Sequence, residues 1–70
     1  MPAYPLEIII PVYNERENID QVLNQFQNLV NTKFRILICY DNEDDNTLMA
    51  YNPKNYDFEI IQLKNSNLLC

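Results

Sequence analysis

The chain has no histidine and no glycine, and it carries only two cysteines and five basic residues. Each scarcity closes off a class of chemistry. Without an imidazole there is neither a His-based general base nor a His-ligated metal. Without glycine, neither a phosphate-cradling P-loop nor a GxGxxG dinucleotide turn can be written. Cys39, inside an apolar run, and Cys70, at the last position, do not make a disulfide framework, so a reduced cytoplasmic setting is the default. Cys39 reads as a small buried apolar residue, because no base is at hand to activate its thiol.

The five Lys and Arg against ten Asp and Glu give a net charge of -5. That balance argues against a nucleic-acid partner, whose phosphates require clustered cations. No basic start followed by an apolar stretch and a small-residue cleavage site is present, so no secretory signal is read. The apolar runs fall short of the roughly 20 residues that a membrane helix needs. No transmembrane segment is expected in this chain, and membrane association is left to a longer form of the protein.

What is present is the balance of a globular chain, with 47% apolar and 21% charged residues. A chain of 70 residues makes one small domain, and such a domain buries only about 60% of its unfolded surface. No repeat, low-complexity tract or flexible linker divides it, so residues 1–70 read as one unit.

Leu6 to Val12, LEIIIPV, is a short β-branched run that suits a strand covered on both faces. Pro11 cannot donate to a sheet ladder, so regular pairing should end there. From Ile19 the apolar positions Ile19, Val22, Leu23, Phe26, Leu29 and Val30 recur three and four apart, the signature of an amphipathic helix. Asn14 is its candidate N-cap and Glu17 completes a capping box, which predicts a helix from Glu15 to about Asn31.

Phe34 to Tyr40, FRILICY, has strand length, and the helix between the two runs is long enough for a crossover, so a parallel βαβ unit is expected. The polar stretch Asp41 to Asn46 then leads into Thr47 to Tyr51, a turn or two of helix before Pro53. Phe58 to Leu63, FEIIQL, is the third predicted strand. Phe26, Phe34 and Phe58 are assigned to the core by their apolar neighbours. After Leu63 nothing in the sequence covers the sheet. The expectation is therefore an α/β fold of order β-α-β-(short α)-β, a partial, truncated parallel sheet whose bare edge invites self-association.

Open parallel sheets bind ligands beyond the carboxyl ends of their strands, which directs attention to Pro11–Glu15 and Asp41–Thr47. Here two stretches carry a resemblance. IIIPVYNERENI, Ile8 to Ile19, resembles the first strand and helix start of family 2 glycosyltransferases, a run of Ile and Val followed by Pro, any residue, Tyr or Phe, Asn and Glu. ILICYDNEDDNT, Ile36 to Thr47, is similar to the second strand of that family and its acidic turn, with Tyr40 in place of the first Asp and Asn42, Glu43 and Asn46 in place of Gly, Ser and Gly. The pattern looks closest to the subgroup resembling dolichol-phosphate mannose synthases.

The resemblance implies a Rossmann-like GT-A fold that holds a nucleoside diphosphate sugar, UDP- or GDP-linked. Carried over residue by residue, it places Pro11, Tyr13 and Glu15 around base and ribose and Asp41 at the base edge. The chemistry suits those roles: Tyr13 offers a flat face for stacking, and a carboxylate accepts from a ring N–H of uracil or guanine. The resemblance also implies a divalent cation, Mg or Mn, in the full-length family. Its DXD ligands and the general base fall beyond the last residue here, so no transfer activity is expected from this chain alone.

Other readings of the same residues exist. Pro11, Tyr13 and Glu15 could be a strand stop, a packed aromatic and a first-turn carboxylate, and the whole would then be a non-catalytic βαβ remnant or interaction module. Glu43 and Asp44 read as a solvated loop, while Asp45 and Thr47 read as caps of the following short helix. A calcium loop over Asp41–Asn52 is rejected, because Asn46 replaces the sixth-position Gly and Asn52 the bidentate Glu. A haloacid dehalogenase-type phosphatase, matched through Glu43–Thr47, is a minor alternative, since a Glu nucleophile reaches one methylene too far for in-line attack.

Overall fold

The computed structural model describes residues 5–29 and 31–65, with the side chain of Leu29 outside the description. Strand β1 spans Leu6–Pro11, helix α1 Ile19–Leu29, strand β2 Phe34–Tyr40 and strand β3 Glu59–Lys64. Two short 3-10 turns, Asn46–Met49 and Pro53–Asn55, bridge β2 and β3. The strands form a three-stranded sheet in the order β1-β2-β3, parallel throughout. This is the expected α/β class, with the Rossmann-like β-α-β unit at its start.

Register and side-chain alternation sort the two faces of the sheet. Ile8 faces Ile36 and Ile36 faces Ile60 across the strands, and Ile10 faces Ile38. These residues share a core with Ile19 and Leu23 of α1, so the helix covers this face. Ile36, Ile38 and Leu23 are fully buried. Phe34 and Phe58 close one end of the core, with ring centroids 4.6 Å apart, and Tyr56 stacks on Phe58 at 5.4 Å. Phe26 and Phe58 are half-buried against the core rather than wholly inside it.

On the opposite face the row Ile9, Leu37, Ile61 is only partly shielded, and Ile9 is 53% exposed. The central strand carries most of the burial, so trimming it should be felt. Ile36→Val should lower stability by about 1 kcal/mol; an unchanged midpoint in urea would show that the site relaxes around the missing methyl.

The structure departs from four of the sequence expectations. The helix starts at Ile19, four residues later than predicted, because Asn14 does not cap it. Residues 16–18 form a turn instead, closed by Asn18 N–H and Ile19 N–H donating to the Glu15 carbonyl at 2.9 Å each. The helix ends at Leu29 rather than Asn31, and Asn31 lies outside it. Pro53 opens the second 3-10 turn, with the Asn52 side chain accepting from Lys54 N–H at 3.0 Å, where a simple helix stop was expected. Cys39, 4% exposed, is disulfide-bonded and not the free thiol of the sequence reading; burial in the sheet protects a sulfur from solvent without keeping it reduced.

Candidate functional site

Because β1 and β2 pair side by side, the segments that leave them emerge together at the carboxyl rim of the sheet. Val12 N–H adds one more bond to the ladder, to Cys39 O at 2.9 Å. The chain then turns at Asn14, whose φ of 50° is the left-handed conformation that Asn tolerates better than most residues. Among the described residues it is the only non-glycine position with positive φ.

The turn after β1 is held by the loop after β2. Asn14 N–H donates to both oxygens of the Asp45 carboxylate at 3.1 Å. Glu15 N–H donates to Thr47 Oγ1 at 2.7 Å, and Arg16 N–H donates to Asn46 Oδ1 at 3.1 Å. In return Asn46 N–H donates to Asn14 Oδ1 at 3.1 Å. Three successive backbone donors, which a helix N-terminus would otherwise leave to solvent or to its own caps, are thus satisfied by three successive side chains from across the rim.

Asp45 and Thr47 carry this clasp from the interior, at 7% and 0% exposure. Thr47 N–H also donates to Asp45 Oδ1 at 2.8 Å, so Asp45 caps the first 3-10 turn as the sequence suggested while holding the neighbouring loop. Burial alone would push the Asp45 carboxyl up. Hydrogen bonds from the Thr47 hydroxyl, the Thr47 N–H and the Asn14 N–H outweigh it and hold the group below its ordinary value.

The loop after β2 closes without a glycine. Asn42 Oδ1 accepts from Asp44 N–H at 2.9 Å, an Asx turn, and the Asn42 carbonyl accepts from Asp45 N–H at 2.9 Å. A side-chain acceptor does here what a glycine's torsional freedom does elsewhere. Glu43 and Asp44 remain exposed, and Glu43 meets Lys64 Nζ at 3.4 Å in a solvent-facing pair of small energetic weight. Further along, Gln62 Nε2 donates to Leu48 O at 3.0 Å and Tyr51 Oη at 2.9 Å, tying the first 3-10 turn to β3. Burial pushes the Tyr51 phenol up, with the Gln62 bond acting weakly the other way.

In front of the clasp lies an open hollow of about 170 Å³, lined by Tyr13, Asn14, Asp41, Asn42, Asp44 and Asp45. Tyr13 and Asp41 therefore share one hollow, with the Tyr13 ring 75% exposed. The Asp41 carboxylate accepts from Asn65 Nδ2 at 2.9 Å, and Asn65 N–H in turn extends the β2–β3 ladder to Tyr40 O. Pro11 ends β1 opposite Cys39, and Glu15 is half-buried beside Asn18; neither lines the hollow. A separate hollow of about 250 Å³ sits at the other end of the sheet, near Phe34 and Glu59, away from both rim loops.

Sequence reasoning missed the bond from Asn46 N–H to Asn14 Oδ1, and it missed Asn65 beside Asp41. The spacing of Asp45 and Thr47 marked them as caps, and nothing local shows that the same atoms reach across the rim.

A parallel sheet covered on one face by a helix, with its first two carboxyl-end loops bracketing a hollow, is an open α/β arrangement. Within that class the chain belongs to glycosyl transferase family 2, whose sequence model matches residues 7–67. No curated protein and no solved structure matches it.

Members of that family generally use a divalent cation. Among the described residues no three His, Cys, Asp or Glu side chains converge as metal ligands would. Asp45, the best buried carboxylate, has its lone pairs directed at backbone N–H groups. The described residues do not fit a cation. No helix among them is long and apolar enough to cross a membrane.

Proposed function

We propose that this chain supplies the base and ribose subsite for a nucleoside diphosphate sugar, the donor of a family 2 glycosyl transfer. The observation that carries the reading is the hollow shared by Tyr13 and Asp41 at the carboxyl rim. Tyr13 stacks on the base, and Asp41 accepts from a ring N–H of uracil or guanine. Pro11 ends the strand so that Tyr13 turns out of the sheet, and Glu15 meets ribose hydroxyls where the ligand extends past the hollow.

Size supports a subsite rather than a whole site. Drug-sized ligands occupy pockets of about 300–1,000 Å³, and this hollow is near 170 Å³, room for a base and not for a nucleotide sugar. The subgroup resembling dolichol-phosphate mannose synthases is the reading favoured by the order Pro11, Tyr13, Asn14, Glu15, and a cytoplasmic protein that meets a membrane-borne acceptor through a longer form accords with it.

Titration with uridine or guanosine diphosphate, followed by amide and aromatic NMR signals, tests this. One of the two nucleotides should shift Tyr13 and Asp41, and Tyr13→Ala should weaken that binding by about tenfold, the worth of one stacked base. Silence from both nucleotides would leave the βαβ unit as a non-catalytic module. The partly shielded row Ile9, Leu37, Ile61 supports that second reading, since such a face suits association with a further chain or copy.

A further inference from the structure

The clasp lies directly behind the hollow. Its acceptors Asp45 and Thr47 are buried, its bonds run from 2.7 to 3.1 Å, and it joins segments 30 to 32 residues apart in sequence.

Resting on the nucleoside reading above, we infer that Thr47, with Asp45, is a positioning residue for that subsite: it fixes the Asn14–Glu15 backbone and thereby holds the Tyr13 ring opposite Asp41. Thr47 does not line the hollow, and its side chain is fully buried. It acts through Glu15 N–H, which has its bond at 2.7 Å to Thr47 Oγ1. Asp45 takes the adjacent N–H of Asn14 with both carboxylate oxygens.

The consequence for Tyr13 follows from geometry. Asn14 sits at φ 50°, a conformation that a non-glycine residue adopts against its intrinsic preference and keeps only when its surroundings over-determine it. Asn14 N–H, Glu15 N–H and Asn14 Oδ1 are the three handles that over-determine it. With them released, Asn14 returns to the ordinary β or α region, and the residue before it swings. Tyr13 itself is largely in solvent. A stacking ring that wanders loses affinity, because each ligand then has to order it first. The clasp therefore works as preorganisation: it does not touch the nucleoside, and it decides whether Tyr13 is waiting for it.

Thr47→Val keeps the branched shape and deletes the hydroxyl, while Thr47→Ser keeps the hydroxyl. In the whole chain, Thr47→Val should speed hydrogen exchange at Glu15 and Asn14 by at least about tenfold relative to Ile36 and Ile38. It should broaden the Tyr13 ring signals and weaken the diphosphate nucleotide that binds by about tenfold, and Thr47→Ser should restore all three. Should the Val variant lose protection at Ile36 as well, Asn46→Ala replaces it, since Asn46 is exposed and loss of its side chain frees the neighbouring Arg16 N–H; there the same changes should appear at about threefold. Parental exchange at Glu15 together with parental affinity in the Val variant overturns the inference, as does failure of the Ser variant to restore. If the parent binds neither nucleotide, the subsite reading fails by itself. The exchange rates and the Tyr13 signals still decide whether the clasp positions that ring.

Discussion

Asp45→Ala should cost about 3 kcal/mol, a large part of what keeps the chain folded at room temperature. Hydrogen bonds to a charged group are worth about 1.5–3 kcal/mol each, and orphaned buried N–H groups add their own desolvation. Asp45 receives Asn14 N–H and Thr47 N–H, and both lose their acceptor at once. A domain of this size has only about 0.05–0.15 kcal/mol per residue to lose. Asp45→Asn, which keeps one acceptor oxygen, should fall between the variant and the parent. The ellipticity of each at 25 °C and their urea midpoints are the measurement, and a parental midpoint for Asp45→Ala would show that the clasp contributes little.

The same carboxylate sets the behaviour in acid. Its folded value lies below the ordinary 3.8, so the unfolded chain takes up the proton first. The stability it contributes is therefore complete above about pH 4 and is lost as pH falls through the folded value. In Asp45→Asn that part of the acid dependence should be missing.

Leu23→Ala should have an effect of the same order or greater, about 2–5 kcal/mol, by leaving a cavity under the helix. Leu23 is completely buried between α1 and the isoleucines of β1 and β2. Among the described residues only one helix of substantial length packs on the sheet, so little is at hand there to refill the space. The variant is expected to lose fixed tertiary signals while Val22→Ala, on a half-buried position of the same helix, keeps them. Thermal melts of the two, compared side by side, decide it. Equal losses would mean that burial does not distinguish the two positions.

The strands and the helix core were legible because their signals are local. Phe34–Tyr40 is read correctly to the residue, since every side chain in it is apolar or aromatic except Arg35, and polar residues bound it on both sides. The helix interior followed from the spacing of Ile19, Leu23 and Phe26. Its start did not, because Asn14 and Glu17 have the right identities for a capping box while the donors they would cap are taken by Asp45, Thr47 and Asn46. A local rule could not see partners 30 residues away. The rim hollow was half legible. Family resemblance singled out Tyr13 and Asp41, and they do share it, while Pro11 and Glu15 do not line it. Asn65 gave no signal, because a lone Asn after a strand has no pattern.

The absence of glycine has a last consequence. Both rim turns are built from carboxamides, Asn14 Oδ1 accepting from Asn46 N–H and Asn46 Oδ1 from Arg16 N–H across the gap, with Asn42 closing its own loop. A glycine hinge gives up torsional freedom on folding and leaves a slack backbone that any ligand must then still. An asparagine hinge is tethered by its own oxygen and starts from a narrower denatured ensemble. The rim of this sheet is accordingly stiff by composition, and its rigidity can be removed one amide at a time.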